Sequence, residues 1–517
     1  MKVALIEPTS PDFHIFSLFP LPRLGTVLLG TILKKKGHDV NVIVESMGEI
    51  PWDDVTEADL VGISTTTSTA PRAYEMAKTL HELGILTVLG GPHVTFMHEE
   101  GMVYADFVIR GEGERSLPML VEALEGKRSL EGVSGLSYWH GRQAVHNPID
   151  QNLIDLNELP EPDFTLIGTN EFKKKKWTRR VVPIQTSRGC PYNCNFCSVT
   201  RMFGRKMRYR DVESVISELR LYDDKRNSIF FYDDNFLASP RRAKRLLNRM
   251  IEEKFSFISS AQVRVEAGMD RELVSLMYRA GVRTVFLGLE SVSPESLEEM
   301  QKKQTRADME EGLRGFREHK ISVHGMFVFG FDQDDEKTFS ENMKFAKRNA
   351  IDSVQFLILT PFPGTPVYED LKNDGRIIIR DWSFYDGHHV VFDPKKVEPY
   401  CLQKAQITGH RKFYSTLEVI RRFYRFDFLN AFIAAYAKRL TRTWVKENKF
   451  YLKVMKFLKP QRKYVLNIDL HRRTSDIKEN VMNVINRASE TVRRAALPVK
   501  SGSDSSEKTD GMTPGAG

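Results

Sequence analysis

Cysteine is scarce in this chain, which has four among 517 residues. So few cysteines argue against a secreted protein built on disulfide bonds. Long apolar runs are also missing, since none reaches the roughly 18 residues that a membrane-spanning helix needs. The apolar start, residues 1–6, is cut off by Glu7 and is too short for a signal peptide. We therefore expect a protein of the reducing, anaerobic cytoplasm.

The composition is that of a globular protein with several domains. The hydrophobic fraction of 41% supports large cores, and the length predicts two to four domains at about 150 residues each. A net charge of +8 is modest for this size. It does not by itself indicate a nucleic-acid partner.

Three of the four cysteines lie close together, as Cys190, Cys194 and Cys197. Three thiolates can hold three irons of a four-iron cluster and leave the fourth iron open, whereas a ferredoxin cluster takes four. A structural zinc site also takes four ligands, but no histidine is near and Cys401 is far along the chain. A redox pair of Cys194 and Cys197 would leave Cys190 unexplained. We interpret the triplet as a 4Fe-4S site for chemistry.

The triplet resembles that of the radical S-adenosylmethionine (SAM) enzymes. The resemblance implies that Cys190, Cys194 and Cys197 bind the cluster and that the open iron chelates SAM. The reduced cluster then cleaves SAM to a 5′-deoxyadenosyl radical, with electrons from an external donor of the flavodoxin or ferredoxin type. Phe196 matches the aromatic position beside the adenine.

Strand and helix patterns alternate over residues 1–150, which predicts an α/β domain with a doubly wound, Rossmann-like parallel sheet. Ligands of such sheets bind beyond the carboxyl ends of the strands, where small residues let backbone amides approach a bulky ligand. The candidate binding residues at those ends are Ser64, Thr65, Thr66, Gly90, Gly91, Pro92, His93, Glu112, Gly113 and Glu114.

These loops resemble the cobalamin-binding domain that precedes the cluster domain in one branch of the family. The form that ligates cobalt through a histidine uses Asp-x-His-x-x-Gly, and here Asp12-Phe13-His14 comes too early and lacks the glycine. We therefore expect cobalamin without a lower histidine ligand. His93 is the candidate for contact, although we expect a solvent-facing ring at a helix start. A generic nucleotide-binding domain is the alternative.

Residues 151–180 are expected to form a linker that contains a solvated basic run, residues 173–176. Residues 181–393 then show six strand–helix units, which predict the partial (β/α)6 barrel of radical SAM enzymes. The predicted strands are residues 181–186, 229–232, 257–263, 284–288, 323–331 and 353–360.

Polar residues follow these strands, at the edge where active sites of such barrels lie. Asp234 and Asn235 correspond to the family segment that holds the methionine amine. Arg264 can bind a carboxylate bidentately, Glu290 can address ribose hydroxyls, and bare backbone at Gly330 can lie against adenine. The alternative for Arg264 and Glu290 is an ion pair with each other.

Two segments follow the sixth strand. Residues 360–368 carry three prolines and a glycine, a rigid turn that we expect to line the substrate cavity. The following stretch contains the candidate residues Trp382, Tyr385, His388 and His389. We interpret it as a packed loop, with substrate contact or a role as acid or base as the alternative.

Residues 394–496 are predicted to be helical and basic, with aromatic residues between the cations. We rank three interpretations: a helical cap on the barrel, a surface that meets anionic lipid, and, least favoured, an RNA-binding surface. Residues 497–517 are expected to be disordered.

The resemblance, over about residues 1–395, implies a cobalamin-dependent radical SAM enzyme that methylates an unactivated carbon. One SAM methylates cobalt and a second yields the radical that takes hydrogen from a small or lipid-like substrate. Two alternatives stay open: a cyclase or ring-rearranging enzyme, for example on a tetrapyrrole, and a non-enzymatic cobalamin sensor. Methylthio-transferring relatives carry a second cysteine triplet, and residues 1–189 contain no cysteine.

Overall fold

A computed structural model describes residues 1–10, 21–168 and 180–457 of the chain. Asp12-Phe13-His14, the basic run at residues 173–176 and the predicted disordered tail lie outside the described residues. No helix in the described ranges is long and apolar enough to cross a bilayer.

The N-terminal sheet has the order β2-β1-β3-β4-β5-β6-β7. Its first five strands are parallel. Apolar cores lie on both faces of the sheet, which explains why β1 is buried almost throughout. The strands are β1 Lys2–Glu7, β2 Asp39–Val44, β3 Leu60–Ser64, β4 Leu86–Gly90, β5 Phe107–Ile109, β6 Leu136–His140 and β7 Gln143–His146. The helices are α1 Leu24–Lys35, α2 Trp52–Thr56, α3 Ala70–Glu82, α4 Pro92–Phe96, α5 His98–Gly101 and α6 Gly113–Leu124.

The predicted doubly wound sheet is confirmed, with one addition at its edge. Strands β6 and β7 form an antiparallel hairpin that continues the sheet beyond β5. Gly141 at its turn has φ +61°, a conformation typical of short hairpin turns. The sheet is therefore parallel in its centre and antiparallel at this edge.

The second sheet has six parallel strands in the order β15-β14-β13-β12-β11-β8. It confirms the predicted partial barrel, with strand ends that differ from the prediction by a few residues. The strands are β8 Arg180–Ile184, β11 Asn227–Phe231, β12 Ile258–Val263, β13 Val282–Glu290, β14 Ser322–Phe329 and β15 Ser353–Ile358. The helices are α7 Val199–Phe203, α8 Val212–Leu221, α9 Pro240–Glu253, α10 Arg271–Arg279, α11 Pro294–Glu299, α12 Arg306–Glu318, α13 Glu336–Arg348 and α14 Pro366–Asn373.

A short antiparallel pair encloses the cysteine triplet. Strand β9, Ser187–Arg188, lies just before the triplet and pairs with β10, Arg208–Tyr209. Sequence analysis did not predict this pair, because two-residue strands leave no periodic signal.

The described part of the C-terminal region, up to residue 457, is largely helical and covers the free edge of β15. Its helices are α15 Pro399–Phe413, α16 Thr416–Tyr424, α17 Phe428–Glu447 and α18 Lys449–Phe457. The Tyr414 hydroxyl bonds both the amide and the carbonyl of Val354, each at 2.7 Å. His410 Nε2 accepts from the Phe356 amide at 3.2 Å, and Gln406 donates to the Phe356 carbonyl at 3.1 Å. These side chains make hydrogen bonds that a seventh strand would otherwise make with the edge of β15.

Candidate active site

The cysteine triplet lies on a loop after β8, at the carboxyl end of the barrel strands. Gly189, just before it, has φ +95°, and a Cβ there would lie 2.8 Å from the Lys206 carbonyl oxygen. The loop can therefore approach the β10 segment only with glycine at this position. Burial raises the pKa of the Cys197 thiol to about 12, and the neighbouring Cys194 and Cys190 contribute to the rise. Cys197 therefore lies within electrostatic range of the other two cysteines.

Two cations lie close to the triplet. Burial raises the pKa of Cys194, while Lys302 and Arg264 oppose the rise. Arg264 stacks 3.8 Å from the ring centroid of Tyr192, which lies inside the cluster loop. Positive charge beside the loop favours thiolates, the form that binds iron.

The predicted alternative pairing of Arg264 with Glu290 is wrong, because each side chain has another partner. Arg264 Nη2 lies 2.5 Å from Glu266 Oε1 and also donates to the Lys303 carbonyl at 2.9 Å. Glu290 accepts from Lys302 Nζ at 2.6 Å. Both side chains nevertheless lie on the rim where sequence analysis placed them.

Asp233 and Asp234 follow β11 but have different environments. Asp233 is fully buried and accepts hydrogen bonds from the amides and hydroxyls of Thr186 and Ser187, at 2.6–3.1 Å. It thus fixes the segment that leads into the cluster loop. Burial, with a smaller contribution from Asp233, raises the pKa of Asp234 to about 7, and a hydrogen bond from the Gly189 amide opposes the rise. Asp234 therefore lies beside the cluster loop, with the buried Asn235 after it.

Gly330 follows β14 and has φ +116°, and a Cβ there would lie 2.9 Å from Leu402 and 3.0 Å from Phe392. The fold itself therefore requires glycine at this position. The next residue, Phe331, packs edge-on against Phe196 with ring centroids 5.7 Å apart. This contact holds Phe196 of the cluster loop beside the end of β14.

The predicted cobalamin loops are joined through Thr65, which is fully buried. Its amide and hydroxyl donate to the Gly90 carbonyl at 2.7 and 2.8 Å. Gly91 has φ +102°, and a Cβ there would lie 2.5 Å from the Thr65 carbonyl oxygen. Arg23 Nη2 donates to Thr66 Oγ1 at 3.3 Å, and Arg23 Nη1 lies 3.5 Å from the Ser64 carbonyl oxygen. The loops after β3 and β4 therefore form one rigid surface.

The expected solvent-facing ring of His93 is wrong. His93 is 1% exposed, and neither ring nitrogen has a hydrogen-bond partner within the described parts of the chain. Burial lowers the pKa of His93 to about 3, so the ring is neutral. Its position at the start of α4 turns the ring inward, toward Trp382 at a centroid distance of 5.0 Å.

Glu112 and Glu114 start α6 and make ion pairs across the two domains. Arg188 Nη1 lies 3.2 Å from Glu112, and Arg188 Nη2 lies 2.8 Å from Glu114. Arg208, on the paired strand β10, also binds Glu112. The loop that leads to the cysteines is thus joined to the predicted cobalamin domain. Sequence analysis missed both arginines, since nothing local in the sequence identifies their partners.

The loop after the sixth barrel strand also contacts the N-terminal domain. Trp382 Nε1 donates to Glu100 at 2.8 Å, and Gly364 lies so close to Phe96 that a Cβ there would overlap its ring. The interpretation of a packed loop fits Tyr385 and His389, which are 1% and 0% exposed. The carboxyl ends of both sheets therefore face each other.

Comparison with known proteins gives two family matches. The profile of the radical SAM superfamily matches residues 184–346, and that of the B12 binding domain matches residues 17–121. An uncharacterized methyltransferase of Pyrococcus horikoshii is 33% identical over 434 residues, which cover 81% of this chain and 94% of that protein. The chain belongs to the cobalamin-dependent radical SAM enzymes.

Two further relatives of this radical SAM enzyme carry named activities. Bacteriochlorophyllide d C-12(1)-methyltransferase of Chlorobaculum tepidum is 29% identical and covers 81% of this chain and 89% of its own length. Hopanoid C-2 methylase of Rhodopseudomonas palustris is 26% identical and covers 70% of this chain and 66% of its own length. The predicted reaction class, cobalamin-dependent C-methylation by an enzyme, is confirmed.

Solved structures support the fold. The cobalamin-dependent SAM radical enzyme OxsB has a TM-score of 0.65 at 17% identity, over 97% of this chain and 82% of its own. The radical SAM methyltransferase TsrM of Kitasatospora setae has a TM-score of 0.60 at 20% identity, over 72% and 75%.

The residues present fit the three predicted cofactors, which the family confirms. Three cysteines on one loop, with no fourth beside them in the sequence, suit a SAM-binding cluster. The ring nitrogens of His93, which are buried and have no partner within the described residues, follow the glycine loop Gly90-Gly91 and suit a polar ligand such as cobalamin.

Proposed function

We propose that this enzyme methylates an unactivated carbon of a hydrophobic, ring-bearing or lipid-like biosynthetic intermediate. The observation that carries the proposal is the meeting of two loop surfaces, in which Arg188 joins the cluster loop to Glu112 and Glu114. When bound, the cluster and SAM supply a radical that removes hydrogen, and cobalamin supplies the methyl group. A substrate between the two surfaces can reach both.

The chain's own residues position and enclose these groups. We assign residues 1–150 to cobalamin, residues 181–393 to the cluster and SAM, and residues 394–496 to the helical cap. Arg264 stacked on Tyr192 holds the cluster loop, and Asp233 holds its entry. The proposed SAM-binding residues are Phe196, Asp234, Asn235, Arg264, Glu290 and Gly330. The proposed cobalamin-binding residues are Ser64, Thr65, Thr66, Gly90, Gly91, Pro92, His93 and Gly113. Glu112 and Glu114 support this surface through Arg188.

The named relatives support this substrate class. One is named for a bacteriochlorophyllide and another for a hopanoid, and both names denote compounds with large apolar ring systems. We also propose an external low-potential electron donor of the flavodoxin or ferredoxin type. For an apolar substrate, we further propose a peripheral contact with the membrane.

Anaerobic reconstitution with iron, sulfide and hydroxocobalamin tests the cofactor sites. Cys194→Ala should lose cluster iron and the release of 5′-deoxyadenosine, yet keep bound cobalt. Cys401→Ala is the matched control, because Cys401 lies on α15 beside Glu398. Equal iron content in the two variants would contradict the assignment.

SAM with a deuterated methyl group tests the reaction. Incubation with a lipid extract of the source cells should place the label in an apolar product, which mass spectrometry detects. Release of 5′-deoxyadenosine with an unlabelled, cyclised or rearranged product would overturn methyl transfer.

A further inference from the structure

Half of the exposed large apolar side chains among the described residues lie in one short segment of the chain. Sixteen are exposed in total. Eight of them form what we call the aromatic ridge: Leu417, Ile420, Phe423, Tyr424, Phe426, Phe428, Leu429 and Phe432. Tyr424 and Phe426 are each 80% exposed. Single exposed apolar residues are common, but a contiguous patch marks an interaction site.

The aromatic ridge is continuous across two helices. Helix α16 contributes Phe423 and α17 contributes Phe428, with ring centroids 5.3 Å apart, and Phe426 lies 6.1 Å from Phe428. Phe426 also has φ +59°, which is unfavourable for a bulky residue and often marks functional segments. The turn thus holds an aromatic ring outward in a strained conformation.

The ridge stands on a firmly packed base. On the opposite face of α17, Ala434 is 0% exposed and Trp444 is 8% exposed. On α16, the buried Arg422 binds Glu418 at 3.0 Å and the Asp352 carbonyl at 2.6 Å. The two helices therefore cap the barrel with one face and present the ridge with the other.

The surroundings of the ridge are strongly basic. Residues 415–457 contain ten Lys or Arg and three Asp or Glu. Of the three acids, Glu418 and Asp427 are half-buried and only Glu447 is exposed. The exposed cations within the ridge segment are Arg421 and Arg425. Aliphatic residues such as Leu417 and Leu429 suit acyl chains better than stacked bases.

We propose that the aromatic ridge inserts into the interface of an anionic lipid bilayer while the flanking cations bind lipid headgroups. This proposal rests on the proposed function, because an apolar substrate would reach the enzyme from the bilayer. Aromatic and aliphatic side chains enter the headgroup boundary, and cations beside them attract anionic lipid.

Co-sedimentation of the full-length holoenzyme tests the proposal, with vesicles of phosphatidylcholine alone or mixed with phosphatidylglycerol. The protein should bind the anionic vesicles and lose binding in high salt. The double variant Phe423→Ser/Phe426→Ser should abolish binding, and Leu221→Ser is the control because Leu221 is 63% exposed on α8. Arg421→Gln/Arg425→Gln should weaken binding about fivefold for each cation removed.

Several results would overturn the proposal. Equal binding of the protein to both vesicle types would do so, as would a loss of vesicle binding in Leu221→Ser equal to that in the ridge variant. A dimer that the ridge variant dissociates would make a second copy the occupant. Binding that appears only after removal of residues 458–517 would assign the ridge to that segment. Deuterium-label transfer with detergent-dispersed substrate should survive in the ridge variants, so failure of the surface and failure of the methylation proposal are distinguishable.

Discussion

Gly91 shows how one residue shapes the proposed cobalamin surface. Its φ of +102° is one that side chains rarely adopt, and the Thr65 backbone fills the space a Cβ would need. Thr65 cannot move away, because its amide and hydroxyl are bonded to the Gly90 carbonyl. The close approach of the two loops therefore depends on the missing side chain.

Gly91→Ala should weaken cobalamin binding at least tenfold, on the order of 1.4 kcal/mol, while the cluster content stays unchanged. The backbone conformation of Gly91, with φ +102° and ψ 178°, is essentially restricted to glycine and costs alanine about 1–3 kcal/mol. The overlap with Thr65 adds to this cost. Absorbance titration of the cobalamin-free protein with hydroxocobalamin measures the effect.

Gly84→Ala is a control that places a side chain at a positive φ without a steric overlap. Gly84 has φ +77°, and a Cβ there meets nothing within 4 Å. This control should keep full cobalamin affinity. If both variants lost affinity equally, general destabilisation would explain the result, and the role given to Gly91 would be wrong.

Residue identities in the site were predictable where the signal was local. Cys190, Cys194 and Cys197 follow from their spacing alone. The burial of His93 was not predictable, because it depends on a residue far along the chain. The partners of Arg264 and Glu290 were not predictable either, because charge alone does not choose among the neighbouring ionisable side chains. His93 turns inward to Trp382, 289 positions later. Glu290 pairs with Lys302, which lies on no periodic pattern.

At the scale of elements, α15 completes the barrel sheet. Gln406, His410 and Tyr414 are spaced four residues apart, so they lie in a row on one face of the helix. They bond the outward backbone groups of Val354 and Phe356 on β15. The C-terminal helices thus stabilise the barrel. Their outer surface is therefore better tested with point variants than with a deletion, which would expose the edge of β15.

Tyr414→Phe should lower the free energy of unfolding by about 1–3 kcal/mol. The variant keeps the ring but leaves the Val354 amide and carbonyl without the hydroxyl that bonds both. Thermal unfolding of the reconstituted enzyme should show a lower Tm. Tyr424→Phe, on a ring that is 80% exposed, should leave Tm unchanged. Equal Tm values for the two variants would contradict the edge-covering role.

Most elements were predictable from periodicity, and the exceptions have physical reasons. Strand β3, Leu60–Ser64, shows why, because a buried parallel strand forms a nearly continuous apolar run that a sequence pattern can reveal. The hairpin β6–β7 was missed because its outer strand is largely exposed and carries little apolar signal. Gly141-Arg142 between two short alternating runs was the signal that could have revealed it.

At the scale of the whole molecule, two domains share one buried ion-pair network. The side chains of Arg188, Glu112, Glu114 and Arg208 are each at most 13% exposed. Burial alone would raise the pKa of Glu112, but Arg208 and Arg188 outweigh burial and lower it. Sequence analysis predicted the two domains separately; their mutual arrangement depends on pairs about 75–95 residues apart in the chain.

Because the pKa of Glu112 is lowered in the folded protein, its ion pairs add stability that is fully present above the ordinary glutamate pKa. This stability is lost as pH falls through the lowered value. The domain interface should therefore hold at neutral pH and loosen only in acid. Hydrogen–deuterium exchange of residues 112–124 across pH measures this, and loosening at alkaline pH instead would contradict it.

Arg188→Met should loosen the same interface at neutral pH, because it leaves two buried carboxylates with less compensation. Breaking a buried ion pair costs about 3–5 kcal/mol. Exchange should rise both in residues 112–124 and in residues 187–209, and cobalamin should dissociate faster. Arg188→Lys should retain part of the interface stability, since it keeps the charge but loses the guanidinium group that reaches both glutamates. Arg210→Lys is the control, because Arg210 pairs with Glu218 inside the barrel. If Arg188→Met changed only residues 187–209, the network would serve the barrel alone and would not join the cofactor surfaces.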